Sequence, residues 1–354
     1  MMLRKFVYNG EVEIPENIEE LERVIKENDK ITLRGGGRTK LKSKGKILSL
    51  EKLDNIEIDE DKREAYVEAG VLLGDLQKEL EKKELEFPLK TFFDEISTIG
   101  GLIARNIGGF RGIKYKQIQD LVKEIEIIDS DGSLVSINRT DFSDFFGMNG
   151  MTGVIVKARL KLIKKPKRSL SLFKSSSIEK IIEFVKKLKL MDVSMIEFLS
   201  KEVSELVGLE RAYHLIVEFE DERGKKKDKE YDEIIEKLFS LYSPLCIAGY
   251  TDIEDIRLFL DKLPYFLEYL EARKIPVFGH IGTGIFHPVL PKDFDKKQLL
   301  DYVKKLRGKV YADYGFLNKK QYFDDTDKKL MKRVKMRRDE KKKFNDFIEF
   351  KEDG

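Results

Sequence analysis

The sequence predicts an α+β chain of two domains followed by a charged helical segment, and three observations carry that prediction. A length of 354 residues is enough for two domains with sizeable cores. Before residue 155, short apolar strands run repeatedly into glycine clusters. After Pro166, helices alternate with apolar strands, as expected where helices pack beside an antiparallel sheet.

A short extended lead-in and Pro15 precede a helix ending near Asn28, with Ile18, Leu21, Val24 and Ile25 on one face. Strand 31–33 runs straight into Arg34-Gly35-Gly36-Gly37, and strands 47–50 and 65–69 precede a helix beginning near Gly74-Asp75. A second glycine segment, Ser97-Thr98-Ile99-Gly100-Gly101, opens a helical stretch to Ile107 and then Gly108-Gly109. Strand 121–128, the turn Ser130-Asp131-Gly132 and strand 134–137 read as a hairpin. The third glycine cluster, 147–153, runs into strand 154–163, and Pro166 marks a boundary. Beyond it, helices are expected at 178–188, 231–241, 256–273 and 296–306, with strands at 195–199, 214–219 and 276–280. A charged amphipathic helix is expected over 324–350. The domains are thus expected at 1–165 and 166–315, with the helical segment at 316–354.

Composition excludes several function classes. Lysine and arginine (68) nearly cancel aspartate and glutamate (65), so no global field favours nucleic acid or an anionic membrane. Cys246 is the only cysteine, which excludes an internal disulfide and a cysteine-ligated iron–sulfur cluster. No signal peptide precedes Tyr8 and no apolar run approaches a membrane span, so the expected location is cytoplasmic, with attachment at a membrane surface left open. The high charged fraction (38%) and absent tryptophan match proteins from hot environments.

Glycine admits positive φ and lets backbone approach a ligand with no Cβ in the way. Successive N–H groups in such loops form a concave anion site, strengthened where the loop opens a helix. Three such clusters suit a bulky diphosphate; ordinary tight turns are the alternative. The pattern is neither a Walker loop nor a Rossmann fingerprint.

The segments Arg34-Gly35-Gly36-Gly37-Arg38-Thr39, Thr98-Ile99-Gly100-Gly101-Leu102-Ile103-Ala104-Arg105-Asn106-Ile107-Gly108-Gly109 and Gly150-Met151-Thr152-Gly153-Val154-Ile155 resemble the FAD domain of the vanillyl-alcohol oxidase superfamily. Within it the chain resembles the FAD subunits of glycolate oxidase and related D-lactate dehydrogenases. The resemblance implies a two-subdomain PCMH-type FAD-binding domain followed by an α+β cap domain with an antiparallel sheet. It implies that Arg34, Gly35, Gly36, Gly37, Arg38 and Thr39 hold the FAD pyrophosphate with Thr98, Ile99, Gly100 and Gly101. Asn106, Gly108, Gly109 and Gly153 would shape the wall near the flavin and adenine, and Ile155 would contact the adenine side. The three histidines, His214, His280 and His287, all lie outside the glycine loops, so a non-covalent link is expected.

The segment Gly279-His280-Ile281-Gly282-Thr283-Gly284-Ile285-Phe286-His287 carries the second candidate site. A four-residue loop at 282–285 would set His280 directly opposite His287, with Cβ atoms about 5 Å apart, which suits joint ligation of one metal. Two hydrogen-bonded core histidines are the alternative. The family segment reads Gly-His-x-Gly-Asp-Gly-Asn-x-His, and its histidines ligate a divalent metal with a downstream glutamate. The resemblance therefore implies a zinc, iron or manganese site of His280, His287 and Asp313. Tyr314 stands at the position of the family's proposed base, although a phenol titrates near about 10 when unperturbed. Thr283 and Ile285 replace the motif's aspartate and asparagine. The family segment that supplies a carboxylate-binding arginine is missing; Arg111, Lys114 and Tyr115 are candidates for that role, with surface placement the alternative.

The resemblance thus implies an FAD-linked dehydrogenase or oxidase acting on the CH–OH of a 2-hydroxy acid such as glycolate or D-lactate. Tyr314 and His287 are its expected catalytic residues. Electrons would leave to a partner protein, a quinone or an iron–sulfur subunit of a hetero-oligomer. The alternative is a flavin-binding, weakly catalytic or non-catalytic subunit of such a complex. An enolpyruvyl-sugar reductase is disfavoured, since that branch has no histidine pair of this kind.

Overall fold

The structure, a computed structural model, describes residues 12–36, 45–311 and 325–346. Gly37, Arg38, Thr39, Asp313 and Tyr314 therefore lie outside the described residues. The first half carries β1 (Val12–Glu13), α1 (Ile18–Glu27), β2 (Ile31–Arg34), β3 (Lys46–Ser49), β4 (Ile56–Asp59), β5 (Glu64–Glu68), α2 (Leu73–Glu81) and β6 (Leu85–Glu86). It continues through α3 (Ile99–Arg105), α4 (Gly112–Tyr115), α5 (Ile118–Leu121), β7 (Val122–Ile128), β8 (Leu134–Ile137), β9 (Val154–Lys161) and β10 (Ile163–Lys164).

Local chemistry explains these elements. Asn17 caps α1 by accepting from the Glu20 N–H at 2.8 Å, and the helix buries Leu21, Val24 and Ile25. The Asp129 carboxylate accepts from the N–H groups of Asp131 and Ser133, closing the expected turn between β7 and β8. β1, β3 and β2 pair in parallel, while β4-β5-β9-β7-β8 form an antiparallel sheet. One core joins both sheets with α1, α2 and α3.

The second half is built on one eight-stranded antiparallel sheet. Its elements are β11 (Ser169–Ser175), α6 (Ile178–Leu188), β12 (Met195–Leu199), α7 (Lys201–Leu206), β13 (Tyr213–Phe219), α8 (Asp228–Phe239), α9 (Tyr242–Ile247), β14 (Tyr250–Ile253) and β15 (Asp255–Arg257). Then come α10 (Leu263–Glu271), β16 (Val277–His280), β17 (Ile285–Pro291), α11 (Lys296–Lys305) and β18 (Lys309–Tyr311). The strand order is β11-β13-β12-β16-β17-β15-β18, with β14 beside β17. The expected helix over 256–273 is shorter: Ile256 is taken into the sheet between Phe286 and Val310, and the helix begins at Leu263 with Pro264 in its first turn.

The last described element is α12 (Asp325–Arg338), and the helix expected to continue to 350 stops there. Its ending has a local cause. Asp339 accepts from the N–H groups of Lys343 and Phe344, and Lys342 and Asn345 take left-handed φ values of 53° and 47°. The chain turns back, and Phe344 is buried in the first-half core.

The two halves meet at a buried ion-pair network. Arg111 donates from Nε to Glu218 Oε1 at 2.8 Å and from Nη2 to Glu218 Oε2 at 3.1 Å, while Nη1 bonds Glu86. Arg168 bridges Glu86 and Glu220 at 2.7 and 2.9 Å, and Tyr231 and Ser194 also donate to Glu218. Burial alone pushes the Glu218 carboxyl up, but the charges and hydrogen bonds of Arg111 and the charge of Arg168 outweigh it and hold the pKa down at about 2.

Arg111→Ala strands Glu218 in the interior and is expected to cost about 3–5 kcal/mol in urea unfolding; a loss within about 0.5 kcal/mol would show the network to be energetically idle. Because the folded carboxyl is depressed, its contribution is fully present above the ordinary value of 4.5 and is lost as pH falls through about 2. Wild-type stability should therefore decline across that window, and a pH series of melting curves on wild type and Glu218→Gln tests whether Glu218 accounts for the decline.

Candidate functional site

The glycine segments converge. An open cleft is lined by Arg34, Gly35 and Gly36 from the end of β2, by Thr98, Gly100 and Gly101 at the start of α3, and by Gly150, Gly153 and Ile155 before and within β9. Leu33, Leu50, Ala69, Ile96, Ser97, Ala104, Arg105, Asn149, Val154 and Asn345 complete the wall.

Gly36 shows why a side chain is excluded at the first segment. A Cβ there would stand 1.8 Å from the Ile96 carbonyl oxygen, so the loop lies against the backbone leading into α3 only if residue 36 is glycine. Thr98 caps α3, its hydroxyl accepting from the Gly101 N–H at 3.2 Å. The first and second segments are thereby packed as one surface.

Four predicted residues stand outside this cleft's lining. The Ile99 side chain is fully buried in the core. Asn106 ends α3 in a left-handed turn and donates to Gln117 and Gln119. Gly108 and Gly109 lead into Phe110, whose N–H bonds the Lys90 carbonyl at 3.0 Å. Their predicted roles at the cofactor are not supported by this lining. Asn345 also lines the cleft; it lies where the family's C-terminal aspartate-proline…asparagine-proline-glycine signature is degenerate, around Arg338–Asn345, and carried no expected role at the cofactor.

Residues 106–115 connect the cleft to the histidine hairpin. Phe110 packs edge-on against His280 with ring centroids 5.1 Å apart, and Gly112 faces Thr283. The hairpin loop is 281–284, one residue earlier than expected, because Gly284 takes a left-handed φ of 76° and Gly284 N–H closes on Ile281. The register then pairs Phe278 with His287 and His280 with Ile285. The histidines are diagonal neighbours rather than directly opposed, and their ring centroids are 5.2 Å apart.

Each ring is held by a buried carboxylate. His280 Nδ1 lies 2.7 Å from Glu197 Oε1, and His287 Nδ1 lies 2.9 Å from Asp255 Oδ1. Burial raises the Glu197 carboxyl against the pull of His280. Such bonds fix the orientation of each ring. Among the described residues, no group of three or more His, Cys, Asp or Glu is arranged to hold a metal. His214, the third histidine, bonds Ser204 and the Ala212 carbonyl.

Arg111, Lys114 and Tyr115 do not await a substrate carboxylate. Arg111 is committed to Glu218 and Glu86; Lys114 pairs with Asp192 and Glu220; Tyr115 donates to Glu220. The expectation that they receive a ligand is corrected, since each neutralises or bonds an acid of the second half.

Comparison with known proteins defines the class. Residues 11–138 match the family described as FAD binding domain. Residues 11–138 therefore carry an FAD binding domain, as the glycine segments implied. It is similar to the D-lactate dehydrogenase of Archaeoglobus fulgidus, 27% identical over 85% of this chain and 81% of that one. The D-2-hydroxyglutarate dehydrogenase of Stutzerimonas stutzeri is 24% identical over 88% and 83%. Glycolate oxidase subunit GlcD of Bacillus subtilis is 31% identical over a shorter stretch, 43% of this chain and 36% of that one. The solved alkyldihydroxyacetonephosphate synthase shares the fold at a TM-score of 0.69 and 15% identity, covering 94% of this chain and 76% of that one. Among the described residues no helix is long and apolar enough to cross a membrane.

Gly36→Ala should abolish FAD retention, because the added methyl and the Ile96 carbonyl cannot share one position. Flavin absorbance of the purified variant checks this; a flavin-to-protein ratio equal to wild type would remove Gly36 from the site.

Proposed function

We propose that the chain is an FAD-dependent oxidoreductase that oxidises a 2-hydroxy acid such as glycolate or D-lactate. The observation that carries the reading is the glycine-lined cleft inside the FAD-binding domain, joined through residues 106–115 to two carboxylate-held imidazoles. The similarity to D-lactate and D-2-hydroxyglutarate dehydrogenases supports the same reaction class. The residues fit FAD, because the three glycine segments of the FAD-binding domain converge on one cleft with the start of α3 in its wall. When bound, FAD supplies the acceptor for the Cα hydride.

The chain's own residues divide the remaining work. Arg34, Gly35, Gly36, Thr98, Gly100 and Gly101 bind the pyrophosphate with Gly37, Arg38 and Thr39, while Gly153 and Ile155 border the ring systems. The parallel and antiparallel sheets of the first half would be the two subdomains that hold the dinucleotide. Glu197 and Asp255 orient the His280 and His287 rings, whose centroids are 5.2 Å apart. The two imidazoles would be ligands of a divalent cation, with Asp313 the third. Tyr314 takes the hydroxyl proton. A partner protein or quinone would take the electrons that bound FAD accepts.

One observation favours a second reading. The carboxylates that occupy Arg111, Lys114 and Tyr115 remove the sequence's candidates for holding a substrate carboxylate. A flavin-binding subunit with little activity of its own, within a larger oxidase complex, accommodates that.

Anaerobic titration separates the two. In the first reading, glycolate, D-lactate or D-2-hydroxyglutarate bleaches the oxidised flavin band, and His287→Ala abolishes bleaching while retaining FAD. Wild-type flavin left oxidised by every 2-hydroxy acid tried, with zinc or manganese added, decides for the second.

A further inference from the structure

We infer that residues 335–345 clasp the FAD cleft, with Asn345 the positioning residue that holds the three glycine segments together. The inference rests on FAD being the cleft's occupant. Asn345 is buried, and both ends of its carboxamide are bonded. Oδ1 accepts from the Leu33 N–H at 2.8 Å, one residue before Arg34. Nδ2 donates to the Asn149 carbonyl at 2.8 Å, and the Asn149 N–H in turn donates to the Ala104 carbonyl in α3 at 2.8 Å. One side chain thus links the end of β2, the third glycine segment and, through Asn149, the second. Leu33, Ala104, Asn149 and Asn345 all line the cleft.

The surrounding backbone fixes the amide in place. Ile31 N–H donates to the Lys343 carbonyl at 2.8 Å, and Asn345 N–H donates to the Ile31 carbonyl at 2.9 Å. Lys335, itself buried, donates to the carbonyls of Met151 at 2.8 Å and Phe344 at 2.6 Å. The tail therefore grips the third segment on both sides of Gly150. That glycine has a left-handed φ of 71°, and a Cβ on it would lie 3.0 Å from Asn345 Nδ2.

Loss of the carboxamide leaves the Leu33 N–H and the Asn149 carbonyl unpaired in a buried place. Aspartate keeps the acceptor but faces an anionic oxygen toward the Asn149 carbonyl, beside the seat of a diphosphate. Binding and docking must also be reciprocal: if the docked tail shapes the loops that receive FAD, bound FAD stabilises the docked tail by the same factor.

The full chain tests this. Apoprotein is titrated with FAD by flavin fluorescence for wild type, Asn345→Ala, Asn345→Asp and Leu80→Ala, a core change in α2 away from the cleft. Hydrogen exchange of wild type is measured with and without FAD. The FAD dissociation constant should rise about tenfold or more in both Asn345 variants. It should stay within about twofold in Leu80→Ala, although that variant also melts earlier. FAD should slow exchange at the Ile31, Leu33 and Asn345 amides. Wild-type affinity in both Asn345 variants, or exchange at these amides indifferent to FAD, overturns the clasp. If the Asn345 variants fail to fold, the wild-type exchange result decides alone. A wild type that binds no FAD overturns the cofactor reading and the clasp with it; indifferent variants of a protein that binds FAD overturn the clasp alone.

Discussion

The buried charge of Glu218 is the constraint on which the relation between the two halves depends. A carboxylate at 0% exposure in the middle of a sheet is tenable only if cations reach it, and they come from both sides of the chain. Arg111 arrives from the first half and Arg168 from the start of the second, and both pair with Glu86 and Glu218, while Glu220 is shared by Arg168 and Lys114. Three cations against three acids is a closed arrangement that tolerates little displacement of any member. Since Arg111 follows Phe110, satisfying Glu218 also sets Phe110 against His280. The electrostatic lock and the spacing from cofactor cleft to hairpin are one constraint.

Much of the fold was legible because burial repeats at the period of the element. α6 and β12 fall on their expected bounds, and α1 buries Leu21, Val24 and Ile25 of its expected face. Legibility failed where tertiary pairing overrides local pattern. Ile256 reads as the start of a helix, yet the free edge of β17 claims it as strand. Arg111 reads as a basic residue near glycines, free for an anion. Its partners Glu86 and Glu218 are 25 and 107 residues away, and no spacing rule reveals them.

The glycine clusters carried more than one message. Gly36 is dictated by the approach of two cleft-forming segments, as a ligand-binding reading expects. Gly109 takes a left-handed turn against Lys90, and Gly150 makes room for Asn345. All three look alike in sequence because each answers the same steric demand, a neighbour where Cβ would be. What differs is the neighbour, and that is set by residues far along the chain. The order of the clusters pointed to FAD, while the cleft wall itself includes a residue from the C-terminal tail.

The histidine pair shows how a register error can preserve a chemical expectation. Moving the loop from 282–285 to 281–284 shifts the pairing by two residues, an even number, so His280 and His287 stay on the same face of the sheet. Their rings still meet, now from diagonal positions. Independently of that shift, the flanking strands supply a carboxylate opposite each ring. β12 pairs Leu199 with Phe278 and Phe198 with Gly279, which sets Glu197 across from His280 one step on. β15 pairs Ile256 with Phe286, which sets Asp255 across from His287. Directly opposed residues are the closest pairs a sheet offers. Each imidazole is therefore oriented by its own cross-strand partner, and the two dyads meet where the rings touch. The acids come from the strands that flank the hairpin on either side, while inside it Ile285 and Phe278 stand opposite the histidines, so each ring is held from outside and the two rings meet diagonally within.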